Sequence, residues 1–117
     1  MQNTIQQALQ AEFDRAVTAR NAGFEGRARV CARRTAGLAI LAYAQENNLP
    51  APHSAFSAIN WLAQQPQLSD DLQQALQTLL TRVDTDFTLR SAQDPLTAAK
   101  VITQRLLNFS IQENTHD

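Results

Sequence analysis

Three charged residues occupy positions on predicted helices where the hydrophobic pattern calls for apolar side chains. With a turn of about 100° per residue, Glu12 lies inside the apolar stripe of the first helix, and Arg27 and Arg34 lie between Leu38 and Leu41 on the second. The short connection between these helices predicts a helical hairpin in which Glu12 and Arg34 lie at the same level along the two helix axes. Because a buried charge without a partner costs several kcal/mol, the pattern predicts a Glu12–Arg34 ion pair inside or at the edge of the core.

This group of charges has three interpretations. In the first, the ion pair sets the register between the two helices. In the second, Glu12, Arg27 and Arg34 line a polar pocket and bind a small anionic ligand or a phosphate group. In the third, the arginines near the hairpin only extend their charged ends into solvent from helix ends.

Arg29 and Arg33 form a second arginine pair on the same helix. The helical rotation turns both toward solvent, so we expect a basic surface that could meet RNA or phosphates. Aromatic residues that would stack on bases are not interleaved with the pair, which makes it a weak nucleic-acid signal.

The remaining residues with reactive side chains do not form a catalytic or metal-binding pattern. His53 and His116 lie in a predicted loop and in the tail, away from the helices on which a bundle would build a metal site. Cys31 lies in the middle of a helix within the apolar stripe, which indicates a core residue rather than an exposed nucleophile. A glycine-rich phosphate loop is lacking. We therefore predict a protein without metal or cofactor, and these residues favour no catalytic site.

Composition favours a helical domain. The 117 residues are 44% hydrophobic and 18% charged, with only three glycines and four prolines, and the apolar share is mostly Ala and Leu. The pattern predicts one domain over residues 1–111 and a disordered polar tail over 112–117. One cysteine, a polar N-terminus without a secretory signal and no apolar run of about 18 residues predict a cytoplasmic protein without a membrane span.

Charge is distributed unevenly along the chain. Residues 1–50 hold six arginines against four acidic residues, and residues 51–117 hold four basic residues against seven acidic ones. A basic half is typical of phosphate binding, and the alternative is that the two halves pack together and neutralise each other.

Hydrophobic periodicity and capping signals predict four long helices and one short one. The predicted bounds are residues 4–21, 25–47, 54–65, 70–83 and 95–110. The predicted buried faces include Val30 on the second helix and Phe56, Ile59 and Leu62 on the third. A capping box at Thr4 begins the first helix, Gly23 ends it, and Ser54, Ser69 and Asp94 cap the later ones. Short connections imply an all-α, up-and-down antiparallel bundle with the third helix as a bridge, and the Ala-rich second helix suits its centre.

The order of these features resembles the HEPN-like helical domains of prokaryotes over residues 4–110. The residues that carry the resemblance are the Ala-rich stretch from Ala28 to Tyr43, the proline loop Leu49-Pro50-Ala51-Pro52-His53, the segment Leu79 to Asp84, and the pairs Ala98-Ala99 and Leu106-Leu107 of the last helix.

Many HEPN domains cleave RNA as dimers, through an arginine followed four to six residues later by a histidine, and this sequence has no such pair. The resemblance therefore implies a non-catalytic module, a homodimer or one bound to another protein, that binds a nucleotide-type ligand or a protein partner. By the same analogy Arg82 and Asp84 become candidate site residues. The alternatives are a degenerate ribonuclease acting through Arg29 and Arg33, and a purely structural interaction domain.

Overall fold

The computed structural model describes residues 2–81 and 94–112, which form five α-helices and no strand. The helices are α1 (Gln2–Asn21), α2 (Glu25–Glu46), α3 (Ala55–Ala63), α4 (Asp70–Leu80) and α5 (Pro95–Leu107). The predicted all-helical class is thus confirmed for the described part of the chain. In that part no helix is both long and apolar enough to cross a membrane.

Most helix ends follow the local signals. Gly23 ends α1 with a φ of 88°, a conformation that glycine adopts without steric cost. The Ser54 side chain accepts a hydrogen bond from the Ser57 amide at 3.3 Å, and the Asp94 carboxylate accepts one from the Thr97 amide at 3.1 Å. These caps begin α3 and α5 where the sequence predicts.

Several helix ends differ from the prediction. The capping box at Thr4 is wrong, because α1 begins at Gln2 and runs through it. Helix α4 ends at Leu80 and α5 at Leu107, each three residues early, because Thr81 takes an extended and Asn108 a left-handed conformation. Ser69 occupies the N-cap of α4 as predicted, but its hydroxyl donates to the Asp71 carboxylate instead of accepting an amide hydrogen bond.

Helix α2 is the centre of the fold and contacts each of the other four helices. Its small side chains allow this, since Ala28, Ala32, Ala36 and Ala39 are fully buried. Gly37 completes the close approach, because the Ala55 side chain of α3 lies against its Cα. Around this helix the core is filled by the large buried side chains of Leu9, Phe13, Ile40, Ile59, Leu76, Leu79 and Ile102.

The rotation of α2 about its axis differs from the predicted one. Val30, predicted to lie in the buried stripe, is 41% exposed, and Arg27 and Arg34 beside it are exposed. Arg29, predicted to face solvent, is buried. The physical reason is that the Ala-rich face allows the closest helix packing, so that face turns inward and Val30, Leu38 and Leu41 remain at its edge.

The prediction that Phe56 of α3 faces the core is also wrong. Ile59 and Leu62 are buried as expected, but Phe56 is 53% exposed. Phe56 follows Ala55 directly, and Ala55 is the residue that packs against Gly37, so the start of α3 turns its Phe56 side chain away from α2.

Candidate functional site

A groove of about 760 Å³ runs along the outer side of the hairpin formed by α1 and α2. We call it the α1–α2 groove, and its lining residues are Asp14, Arg15, Thr18, Ala19, Ala22, Phe24, Gly26, Arg27, Val30, Cys31 and Arg34. Its volume lies within the range of about 300–1,000 Å³ that is typical of small-molecule sites.

The groove combines an apolar surface with a basic rim. Phe24, at the turn between the helices, is 59% exposed and is the most exposed large apolar side chain of the described residues. The Arg27 guanidinium lies 5.6 Å from the centre of its ring, a cation–π contact. Arg15 from α1 and Arg34 from α2 are also exposed, so three guanidinium groups border one apolar groove.

Glu12 lies buried beneath two of these arginines. Its Oε1 atom accepts a hydrogen bond from Arg15 Nη1 at 2.9 Å, and its Oε2 atom lies 4.0 Å from Arg34 Nη1. The predicted Glu12–Arg34 pair is therefore present at the edge of the core, but Arg34 is 62% exposed and the closer partner is Arg15. Sequence reasoning missed Arg15, although its i, i+3 spacing from Glu12 signals such a pair.

The Glu12 Oε2 atom is buried and accepts no hydrogen bond from the described residues. A carboxylate can accept several hydrogen bonds, so this atom retains acceptor capacity at the base of the arginine pair.

Cys31 forms part of the groove floor and is buried, as the sequence predicts. Burial raises the pKa of its thiol, and the nearby Glu12 carboxylate raises it further. A thiol with a raised pKa is protonated at neutral pH and is a poor nucleophile, so Cys31 contributes apolar surface and not covalent chemistry.

A second, smaller cavity lies next to the groove on the α3 side. We call it the His53 notch; it has a volume of about 230 Å³ and is lined by Glu12, Arg34, Gly37, Leu38, Leu41, His53 and Ala55. Arg34 lines both the groove and the notch. The structure thus brings Glu12, Arg34 and His53 together, a combination that the sequence alone did not indicate.

Arg29 and Arg33 do not form the predicted solvent-facing surface. Arg29 Nη2 donates to the carbonyl oxygens of Thr78 at 2.7 Å and Thr81 at 2.6 Å, and Arg33 Nε donates to that of Leu79 at 2.8 Å. The last carbonyls of a helix lack intrahelical partners and carry partial negative charge, so two arginines stabilise this end of α4. The prediction of their orientation was wrong because it considered α2 without the end of α4.

Two further groups of candidate residues remain, namely the pair Arg82 and Asp84 and the side chains that could ligate a metal. Arg82 and Asp84 lie outside the described residues. Over residues 2–81 and 94–112, no group of three or more His, Cys, Asp or Glu side chains is arranged to hold a metal ion.

Comparisons of this chain with protein-family models, curated proteins and solved structures found no match.

Proposed function

We propose that this protein is a non-catalytic, HEPN-like bundle that binds a nucleotide-type ligand in the α1–α2 groove. The observation that supports this proposal is the convergence of three exposed arginines, Arg15, Arg27 and Arg34, on one apolar groove beside the exposed ring of Phe24.

The chemistry of the groove matches the two ends of a nucleotide. A base can stack on an exposed aromatic ring, an interaction worth about 1–3 kcal/mol, and Phe24 offers such a ring. Guanidinium groups bind phosphate oxygens through paired hydrogen bonds, and Arg27 joins these two functions because it lies against Phe24.

The state of Arg34 also supports ligand binding. An arginine fully satisfied by Glu12 in a filled core would leave no site beside it. Instead, Arg34 is exposed, lines two cavities and lies 4.0 Å from the carboxylate. Its guanidinium therefore has donors that a phosphate can use.

A protein partner is the second candidate, and a separate observation favours it. Phe24 and Val30 expose apolar surface along the groove, and apolar grooves between helices also accept a helix of another protein. Under both candidates the proposal includes a cytoplasmic location and a homodimeric assembly, in keeping with the HEPN resemblance.

The test is a thermal-shift series on the purified protein with ATP, ADP, cyclic dinucleotides and short RNAs. A ligand at 100 times its Kd adds about 2.7 kcal/mol of stability, which raises the Tm by several degrees in a domain of this size. We expect this rise for a nucleotide, and its loss in Arg27→Gln and Arg34→Gln. Arg105→Gln is the matched control, because Arg105 is exposed and pairs with Asp71 away from the groove.

An unchanged Tm with every member of the series would contradict nucleotide binding and would leave the protein partner as the function of the groove. A rise that persists in both groove variants would place the ligand elsewhere on the molecule.

A further inference from the structure

The α1–α2 groove and the His53 notch meet at Arg34, whereas Arg15 lines the groove alone. Arg34 lines both cavities, and Glu12 contacts both arginines from below. A ligand that binds the arginines by its phosphates therefore has two directions available to the rest of its structure.

We propose that the ligand is a nucleoside diphosphate that carries a sugar on its terminal phosphate, with the sugar in the His53 notch. This inference rests on the proposed nucleotide binding in the α1–α2 groove. The base lies by Phe24, the diphosphate spans the arginine pair, and the sugar extends toward α3.

Glu12 makes the arginine pair suitable for a diphosphate. Two guanidinium groups placed side by side repel each other, and the buried carboxylate between them offsets that repulsion while it leaves their outer N–H groups to the ligand. Arg15, Arg27 and Arg34 outnumber the two nearby carboxylates of Asp14 and Glu12, so a bound anion improves the charge balance.

The notch has the size and chemistry for a single sugar ring. Its 230 Å³ equals the space of about eight water molecules in the liquid, which suits one ring but not a second nucleoside. Leu38 and Leu41 offer an apolar wall to the C–H face of the ring. The imidazole of His53 and the buried Glu12 Oε2 atom, which accepts no hydrogen bond from the described residues, offer partners to its hydroxyl groups.

The experiment compares two matched pairs, ADP with ADP-ribose and UDP with UDP-glucose, by calorimetric titration of the full chain. One hydroxyl hydrogen bond contributes about 1 kcal/mol and contact with the leucines adds to it, so we expect at least one sugar-bearing ligand to bind about tenfold more tightly than its parent.

Two variants locate the added affinity. His53→Ala removes an exposed side chain and Leu38→Trp fills the notch from a partly exposed position, so neither disturbs the core. Each variant should abolish the added affinity that the sugar provides and leave the affinity for ADP and UDP unchanged. Asn60→Ala is the control, because Asn60 is exposed on α3 and does not line the notch.

The contrary outcomes are distinct. If ADP or UDP binds and neither sugar adds affinity, or if the gain survives in both notch variants, the sugar assignment is overturned and nucleotide binding stands. If none of the four ligands binds, this inference is overturned, and the thermal-shift series with ATP, cyclic dinucleotides and short RNAs decides separately whether the proposed nucleotide binding fails.

Discussion

At the scale of single residues, the buried carboxylate of Glu12 is the feature on which the groove depends. It is 8% exposed, while the side chains of its two partners, Arg15 and Arg34, are more than half exposed. The arginines can therefore exchange the carboxylate for water or for a ligand, whereas the buried carboxylate depends on the arginines for an opposite charge. Removal of the two arginines and removal of the Glu12 carboxylate should then change the free energy of unfolding by different amounts.

We expect the double variant Arg15→Gln, Arg34→Gln to lower the free energy of unfolding by about 1–3 kcal/mol, because it leaves a buried charge unpaired. Addition of Glu12→Gln should restore at least half of that loss, since a neutral amide is easier to bury. Urea unfolding at pH 7 measures both changes. A triple variant less stable than the double variant would show that the carboxylate stabilises the fold through contacts other than these arginines.

At the scale of elements, the contact between α2 and α3 depends on the missing side chain at Gly37. A Cβ atom at this position would lie 2.7 Å from the Ala55 Cβ atom and 2.8 Å from its Cα atom, so the α3 backbone would have to move. Gly26 lies on the same helix and would meet nothing within 4 Å. The two glycines therefore separate the effect of packing from that of helix propensity.

Gly37→Ala should destabilise the protein by about 1–3 kcal/mol, because overpacking outweighs the gain in helix propensity. Gly26→Ala should stabilise it by a few tenths to about 1 kcal/mol, since only propensity and unfolded-state entropy change there. Thermal and urea unfolding of the two variants beside the wild type give the comparison. Equal effects at the two positions would contradict the close approach of α3 to α2.

Contacts between helices also explain how the C-terminal end of α4 is stabilised. Arg29 and Arg33 of α2 donate hydrogen bonds to the last carbonyl oxygens of α4. Helix α2 therefore stabilises the C-terminal end of α4 in addition to packing against it. Burial lowers the pKa of Arg29, and the nearby charge of Arg33 lowers it further. Arginine is suited to this buried position because its ordinary pKa lies far above neutral pH.

At the scale of the whole molecule, charged pairs connect separate helices. Arg20 at the end of α1 bonds to Glu25 at the start of α2, with 2.5 Å between Nη2 and Oε2, and to Asp94 at the start of α5, with 2.6 Å between Nη2 and Oδ1. On the other side, Arg105 of α5 pairs with Asp71 of α4. All three pairs involve carboxylates and so depend on pH.

The pKa values of Asp94 and Asp71 lie below their usual range. Burial acts to raise the pKa of Asp94, but hydrogen bonds from Arg20 and from the Thr97 amide outweigh it. Hydrogen bonds from Ser69 and from Arg105 lower the pKa of Asp71. A carboxyl group whose pKa is lower in the folded state stabilises the fold above its unfolded pKa, and that contribution is lost as the pH falls through the folded value.

We therefore expect the free energy of unfolding to fall as the pH drops below about 4, near the unfolded pKa of aspartate. Asp94→Asn should be less stable than the wild type at pH 7 and should lose less stability on acidification. Urea unfolding between pH 7 and pH 2 measures this, with Asp70→Asn as a control at an exposed site in the first turn of α4. Parallel pH profiles for the wild type and Asp94→Asn would refute the assignment.

Local chemistry determined much of the fold. The ends at Gly23, Ser54 and Asp94-Pro95 were predictable because a left-handed glycine and a side-chain cap act within a few residues. The approach of Glu12 to Arg34 was predictable because a short hairpin sets which residues of the two helices lie at the same level along the helix axes.

Tertiary packing decided the rest. The apolar pattern of α2 did not specify its rotation, since alanines surround most of this helix and hydrophobicity alone does not rank its faces. Close packing against four neighbours turned the smallest face inward, which exposed Arg27 and Arg34 and buried Arg29. The sequence by itself determined the helices and the facing charges. Only the packing of the helices decided which arginines border a groove and which bind the end of α4, because that depends on helices far apart along the chain.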